Sequence, residues 1–195
     1  MNLGVNSRKK LIELYLRKFF NKIMDRHAYR VAEFAEELGR ELGFNEKEIE
    51  ELNIASLFHD IGKAAIDKRI FYKPSKLNED EWDKVMKHPE IGFHILNSLS
   101  DFNSVAEIEK IAKYVLHHHE RWDGQGYPAG LKGTEIPLQS RIICIADAFD
   151  AMTSDRTYQR GKSKEAAVDE LRRNSGTQFD PELVEIFISR VLGQN

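Results

Sequence analysis

The stretch Leu57-Phe58-His59-Asp60-Ile61-Gly62-Lys63 decides how the chain folds and where its chemistry sits. Leu57 and Phe58 finish an apolar helical pattern that also carries Ile49 and Leu52, and an imidazole and a carboxylate follow directly. Gly62 lets the chain turn, and Lys63 brings a cation to the same place. Neutral imidazole and ionised carboxylate are the usual ligands of a first-row divalent metal where thiolates are absent. One His-Asp pair cannot fill a coordination sphere, so a metal centre needs partners from elsewhere in the chain.

Outward from this stretch the pattern is helical. Val31, Phe34, Ala35, Leu38 and Leu42 form one face after His27, and Gly43 is a natural stop. Asn45 with Glu48 and Asn78 with Glu81 have capping-box spacing. Lys63 to Leu77 reads as irregular, and Pro89 breaks or restarts a helix just after His88. Further helices are expected over 91–96, from Val105 to the His117-His118-His119-Glu120 run, from Pro137 to Met152, after Ser163, and from Asp180-Pro181 to Gly193. No run alternates with period two, so the expected fold is all-α, one helical bundle. Arg121 to Ile136 holds Gly124, Gly126, Gly130 and Gly133, a loop with room for a β-hairpin. Residues 1–24 are expected to add an amphipathic N-terminal helix, either packed on the bundle or serving as a linker or dimer stalk, with 25–195 forming the domain.

The 195 residues suffice for one sizeable core. A net charge of −3 argues against a surface for duplex DNA or anionic membrane. No apolar run is long enough to span a bilayer, and lysines and arginines interrupt the N-terminal apolar residues where a signal peptide would be continuous. The single cysteine, Cys144, excludes an internal disulfide framework and a Cys-rich zinc site, fits a reducing cytoplasm, and is expected to be a small buried residue.

The seven histidines are His27, His59, His88, His94, His117, His118 and His119. Several stand at helix ends or at a proline break, places from which side chains can converge at the mouth of a bundle. Successive helical residues point about 100° apart, so at most two of the three adjacent histidines can face one cavity. Asp147 sits in an otherwise apolar helix and needs a cation or hydrogen bonds, and Asp150 shares its face at i+3. Together these residues describe a metal site with a hydrolytic role.

The ordered motifs resemble the HD-GYP subgroup of the HD superfamily of metal-dependent phosphohydrolases. They are His27-Ala28-Tyr29-Arg30-Val31, His59-Asp60-Ile61-Gly62-Lys63, Lys87-His88-Pro89-Glu90-Ile91-Gly92, His118 to Pro128, Arg141 to Tyr158, and Gly176-Thr177-Gln178-Phe179-Asp180-Pro181. The resemblance covers about 25–190 and implies an HD-type bundle with a Gly-Tyr-Pro loop. It implies that His27, His59, Asp60 and Asp147 ligate one metal, that His88, His118 and His119 serve a second, and that Asp60 bridges. Lys63, Asp150 and Arg156 match positions around the substrate phosphates, with Asp60 and Lys63 as the catalytic residues. The loop residues Gly124, Gly126, Tyr127 and Pro128 match a region credited with contacting partner proteins. Members with three metals carry a glutamate four residues before the first histidine. Ile23 stands there, which implies two ions.

The activity so implied is hydrolysis of the bacterial second messenger cyclic di-GMP to linear pGpG, in some members onward to GMP. A metal-bridging hydroxide would attack the phosphorus between ions about 3.5–4 Å apart. Iron or manganese is favoured, and zinc, cobalt and nickel fit the same ligands. A sensor or diguanylate-cyclase partner domain and a homodimer are the expected partners. The rival readings are a phosphodiesterase for another cyclic dinucleotide such as 3′,3′-cyclic GMP-AMP, and a non-catalytic receptor or output module.

Overall fold

The computed structural model describes residues 26–71, 73, 75–98, 105–155 and 160–194. The expected N-terminal helix over 1–24, Ile23 and Arg156 lie outside the described residues. The helices are α1 (Arg26–Glu41), α2 (Glu46–Phe58), α3 (Lys68–Phe71), α4 (Glu79–Met86), α5 (His88–Asn97), α6 (Val105–Leu116), α7 (Leu138–Thr153), α8 (Lys164–Arg173) and α9 (Pro181–Ile186). The 63–77 stretch is less irregular than its sequence: a tight 3-10 turn spans Ile61–Ala65 and α3 follows.

Local signals start the helices as expected. Asn45 Oδ1 accepts from the main-chain N–H of Lys47 and Glu48, while Glu48 returns the bond to Asn45 N at 2.8 Å. Asn78 and Glu81 do the same for α4. Such a reciprocal pair satisfies N–H groups that a helix start leaves open. Pro89 falls in the first turn of α5, where its missing N–H breaks no bond. Asp180 caps α9, but the chain does not stay α-helical to Gly193. A wider π turn takes over at Phe187–Val191.

The centre of the bundle is α7. Ile142, Ile143, Ile145 and Ala146 are all fully buried, so the helix is enclosed on every side. α1 packs on α2 and α7, α2 on α6, and α5 on both α6 and the 3-10 turn. Phe34, Phe149 and Phe187 meet edge to face, tying α1, α7 and the C-terminal turn together.

Among the described residues no strand forms, and the glycine-rich loop does not use its room for a hairpin. That loop is a series of turns tied to the segment before α9: Trp122 N donates to Gln178 O and Asp123 N to Thr177 O. Gly62 also differs from expectation. It is not among the positive-φ glycines, so it is not needed for a left-handed turn. It is needed for space, because a Cβ there would lie 1.9 Å from the carbonyl oxygen of His88. This close approach seats the His59-Asp60 end of α2 against the start of α5.

Candidate metal centre

Three histidines stand just beyond helix ends and are held in the same way. His59 Nδ1 meets Ser56 O at 2.7 Å, His88 Nδ1 meets Val85 O at 2.7 Å, and His118 Nδ1 meets Val115 O at 2.6 Å. A carbonyl only accepts, so each Nδ1 carries a proton, and in the neutral ring each Nε2 keeps its lone pair. The last turn of a helix leaves carbonyls free, which is why a histidine one or two residues past the end can lock this way.

The lone pairs point into one volume. His88 Nε2 and His118 Nε2 face each other at 3.4 Å, with no proton between them. Asp60 Oδ1 lies 3.2 Å from His88 Nε2. His59 Nε2 and Asp60 Oδ1 are buried and make no hydrogen bond. Buried acceptors left unsatisfied and turned on one another are costly, and a cation among them removes the cost. The donor chemistry therefore fits a divalent metal.

The ligand atoms form two groups. Those of Asp60, His88, His118 and His119 all lie within 4.8 Å of one another, as do those of His27, His59 and Asp60. Asp147 Oδ1 joins the second group, 3.1 Å from His27 Nε2 and 3.9 Å from His59 Nε2. Asp60 is common to both. Of the adjacent triplet, His118 and His119 enter the cluster, while His117 turns to Glu120 at 3.5 Å.

The electrostatics divide the cluster. Burial lowers the pKa of His88 and of His119 to about 4, and that of His118 well below its usual value. These three are neutral, available ligands at pH 7. Burial opposes ionisation of Asp60, but the Lys63 ammonium and His59 together hold its carboxyl well below the usual carboxylate range. Asp147 is likewise held at about 2: burial works against it, and the hydrogen bond from His27 outweighs burial with help from nearby charge. His27 resists protonation through burial, yet hydrogen bonds to Asp147 and Asp150 raise it to about 10.

Lys63 Nζ contacts Asp60 Oδ2, at the mouth of the cluster. Asp150 is engaged within the protein. Its side chain is 1% exposed, and both oxygens are taken, by the Arg30 guanidinium and by His27 Nδ1 at 2.6 Å. A carboxylate so enclosed supports His27. The Gly-Tyr-Pro loop turns inward: the Tyr127 ring stacks on His119, centroids 4.9 Å apart. Gly126 permits this, since a Cβ there would strike the backbone of His119, Glu120 and Arg121 at 2.3–2.6 Å. Gly124 takes φ +82 in the same loop, and the bond between Tyr127 and Pro128 is cis.

Two residues within the quoted motifs had no role assigned from sequence. Arg30 holds Asp150, and Glu120, 2% exposed, accepts from Ala129 N and Leu131 N and so anchors the loop. The spacing of Arg30 three residues after His27, facing an Asp three residues after Asp147, is the signal that could have found the first. A separate recess of about 670 Å³, lined by Ile66, Ile70, Lys73, Lys84, Lys87 and Ile91 among others, opens beside the start of α5.

A helical bundle that gathers imidazoles and carboxylates from its helix ends around one shared aspartate defines a class, that of helical proteins with a His/Asp cluster able to hold metal. The family model described as "HD domain" matches residues 10–183, and the chain belongs to the HD domain family. The HD-GYP resemblance carried by the ordered motifs is borne out by its relatives. One is a cyclic di-GMP phosphodiesterase of Thermotoga maritima, 42% identical over 163 residues, 84% of this chain and 43% of that protein. Another is a 3′3′-cGAMP-specific phosphodiesterase of Vibrio cholerae, 40% identical over 83% of this chain and 30% of that protein. The chain thus spans less than half the length of these relatives. Among solved structures, a cyclic GMP-AMP specific phosphodiesterase of V. cholerae aligns with TM-score 0.65 at 24% identity, over 85% of this chain and 44% of that one. An HD-GYP-type protein of Bdellovibrio bacteriovorus aligns with TM-score 0.68 at 17% identity, over 96% and 63%. These two show the fold. Among the described residues no helix is long and apolar enough to cross a membrane.

Proposed function

We propose that this chain is a metal-dependent phosphodiesterase that hydrolyses cyclic di-GMP to linear pGpG. The observation that carries the proposal is the convergence of the His59, His88 and His118 Nε2 lone pairs on Asp60, which leaves buried acceptors that a pair of cations would satisfy. His27, His59 and Asp147 would hold one divalent ion and His88, His118 and His119 the other, with Asp60 shared. Iron or manganese suits this histidine-carboxylate set best, with zinc, cobalt and nickel as alternatives. Ions bound there supply Lewis acidity to water and to the phosphoryl oxygens.

The chain's own groups do the rest. Lys63, with a side chain 36% exposed, presents an ammonium where a phosphate would approach Asp60. Tyr127 covers His119 and keeps bulk water from that side. Arg156 is proposed as a second phosphate contact, and Gly124 to Pro128 as a partner-facing loop through its exposed edge. Residues 1–24 are proposed as a linker or dimer stalk preceding one domain over 25–195, with a sensor or diguanylate-cyclase domain as the regulatory partner. A cyclic dinucleotide substrate puts this work in the cytoplasm.

Relatives named for 3′3′-cGAMP favour a second reading, in which that dinucleotide is the substrate. Manganese- or iron-loaded protein incubated with each dinucleotide, followed by chromatography of the products, decides between them. Linear pGpG from cyclic di-GMP, abolished by Asp60→Ala, is the expected result. Metal-loaded protein that turns over neither dinucleotide refutes the proposal, and tight binding without product makes the chain a receptor.

A further inference from the structure

The histidines of the cluster are not supported alike. His59, His88 and His118 fix their Nδ1 protons on main-chain carbonyls three residues back, in the last turn of the helix that precedes each. No side-chain substitution removes those acceptors. His27 instead rests on a side chain from another helix. Its Nδ1 meets Asp150 Oδ2 at 2.6 Å, and its Nε2 faces Asp147 Oδ1 at 3.1 Å. Asp150 is 1% exposed, so its charge needs a partner inside the protein. Arg30 supplies one: Nε and Nη2 take the two oxygens of Asp150 in a fork, and Nη2 also donates to Ser154 Oγ at 2.8 Å.

We infer that Arg30 is a positioning residue for one metal subsite: through Asp150 it keeps the Nε2 of His27 aimed at the ion it would share with His59, Asp60 and Asp147, and its loss empties that subsite alone. A carboxylate on the outer nitrogen orients an imidazole and strengthens it as a ligand. Arg30 keeps that carboxylate ionised and fixed. The fork needs a planar guanidinium, so lysine would keep the charge and lose the geometry. Among the described residues no hydrogen bond links His88, His118 or His119 to Arg30 or Asp150, so their subsite should not respond. The inference rests on the two-ion reading above.

The test is titration of the chelator-treated 195-residue chain with Mn(II) alone, read by equilibrium dialysis and by electron paramagnetic resonance. Two adjacent Mn(II) ions give a spin-coupled signal and a single ion gives an isolated six-line one. Wild type is expected to bind two ions and to show coupling. Arg30→Gln is expected to keep one ion with unchanged affinity, to bind the second about 10- to 100-fold more weakly, and to lose the coupled signal. Arg30→Lys should fall between, and Asp150→Asn should match Arg30→Gln. Melting of each chelator-treated variant separates a simple α1–α7 clamp from a role at the metal. A variant that melts lower yet binds two coupled ions with wild-type affinity overturns the inference and leaves the two-ion reading intact. Wild type that never holds more than one ion overturns both.

Discussion

Gly62→Ala should damage fold and metal centre together. The added Cβ would lie 1.9 Å from the His88 carbonyl oxygen and 2.7 Å from Gly92 N, both backbone atoms that no rotamer change can move. The first contact is about 1.5 Å short of ordinary van der Waals separation. The 3-10 turn and α5 must therefore part. Overpacking of this kind costs about 1–3 kcal/mol, and backbone on both sides puts this case at the upper end. For a domain of this size that is roughly 6–12 °C of melting temperature. Any shift of His88 also moves its Nε2, now 3.2 Å from Asp60 Oδ1 and 3.4 Å from His118 Nε2. Metal sites tolerate about 0.2 Å, so the His88, His118 and His119 subsite should lose its ion. The assay is thermal melting of the chelator-treated protein alongside metal content after reconstitution. Gly92→Ala is the graded comparison, since its Cβ would meet methyl groups of Val115 and Ile61 at 3.1 and 3.3 Å, and these can yield. Wild-type melting and full metal content in Gly62→Ala would refute the packing account.

Other outcomes follow from the same geometry. Without metal, stability should peak near pH 6.5. As pH falls from 6.5 toward 4, unfolded histidines take up protons that folded His88 and His119, lowered to about 4, refuse, so stability is lost. As pH rises toward 10, His27, raised to about 10 when folded, keeps a proton its unfolded form has released, and its contribution is lost. Melting curves across pH check both arms, and a flat profile contradicts them. Glu120→Gln weakens the anchor on Ala129 N and Leu131 N and should cost about 1–3 kcal/mol, with faster proteolysis within 121–136; unchanged cleavage would show that other bonds hold the loop. Asn78→Ala removes one half of a capping box and should cost about 1 kcal/mol in melting experiments, with no change in metal content.

Much of this was legible in the chain because it is written locally. The capping pairs Asn45–Glu48 and Asn78–Glu81, the Pro89 restart and the apolar enclosure of α7 are short-range patterns, and helices follow from them. That at most two of His117, His118 and His119 could converge followed from helical geometry alone. The misses are long-range. The i+3 placements of Arg30 and Asp150 hint at a pair, but only the fold brings these residues, 120 apart, together. Gly62 read as a turn glycine because nothing nearby in sequence reveals that the His88 carbonyl packs on it. The glycines of the 121–136 loop left room for a hairpin, yet Gly126 is there so that Tyr127 can fold back over His119. Tertiary contact, absent from local pattern, decided each of these.

The most direct measurement is the metal content of the purified chain and of Asp60→Ala after reconstitution with Mn(II) and desalting. Among the described residues Asp60 is the one carboxylate common to both ligand groups. Two ions per wild-type chain, falling below one in Asp60→Ala with the helical fold retained, is the predicted result. Metal content that does not change when Asp60 is removed would contradict the account.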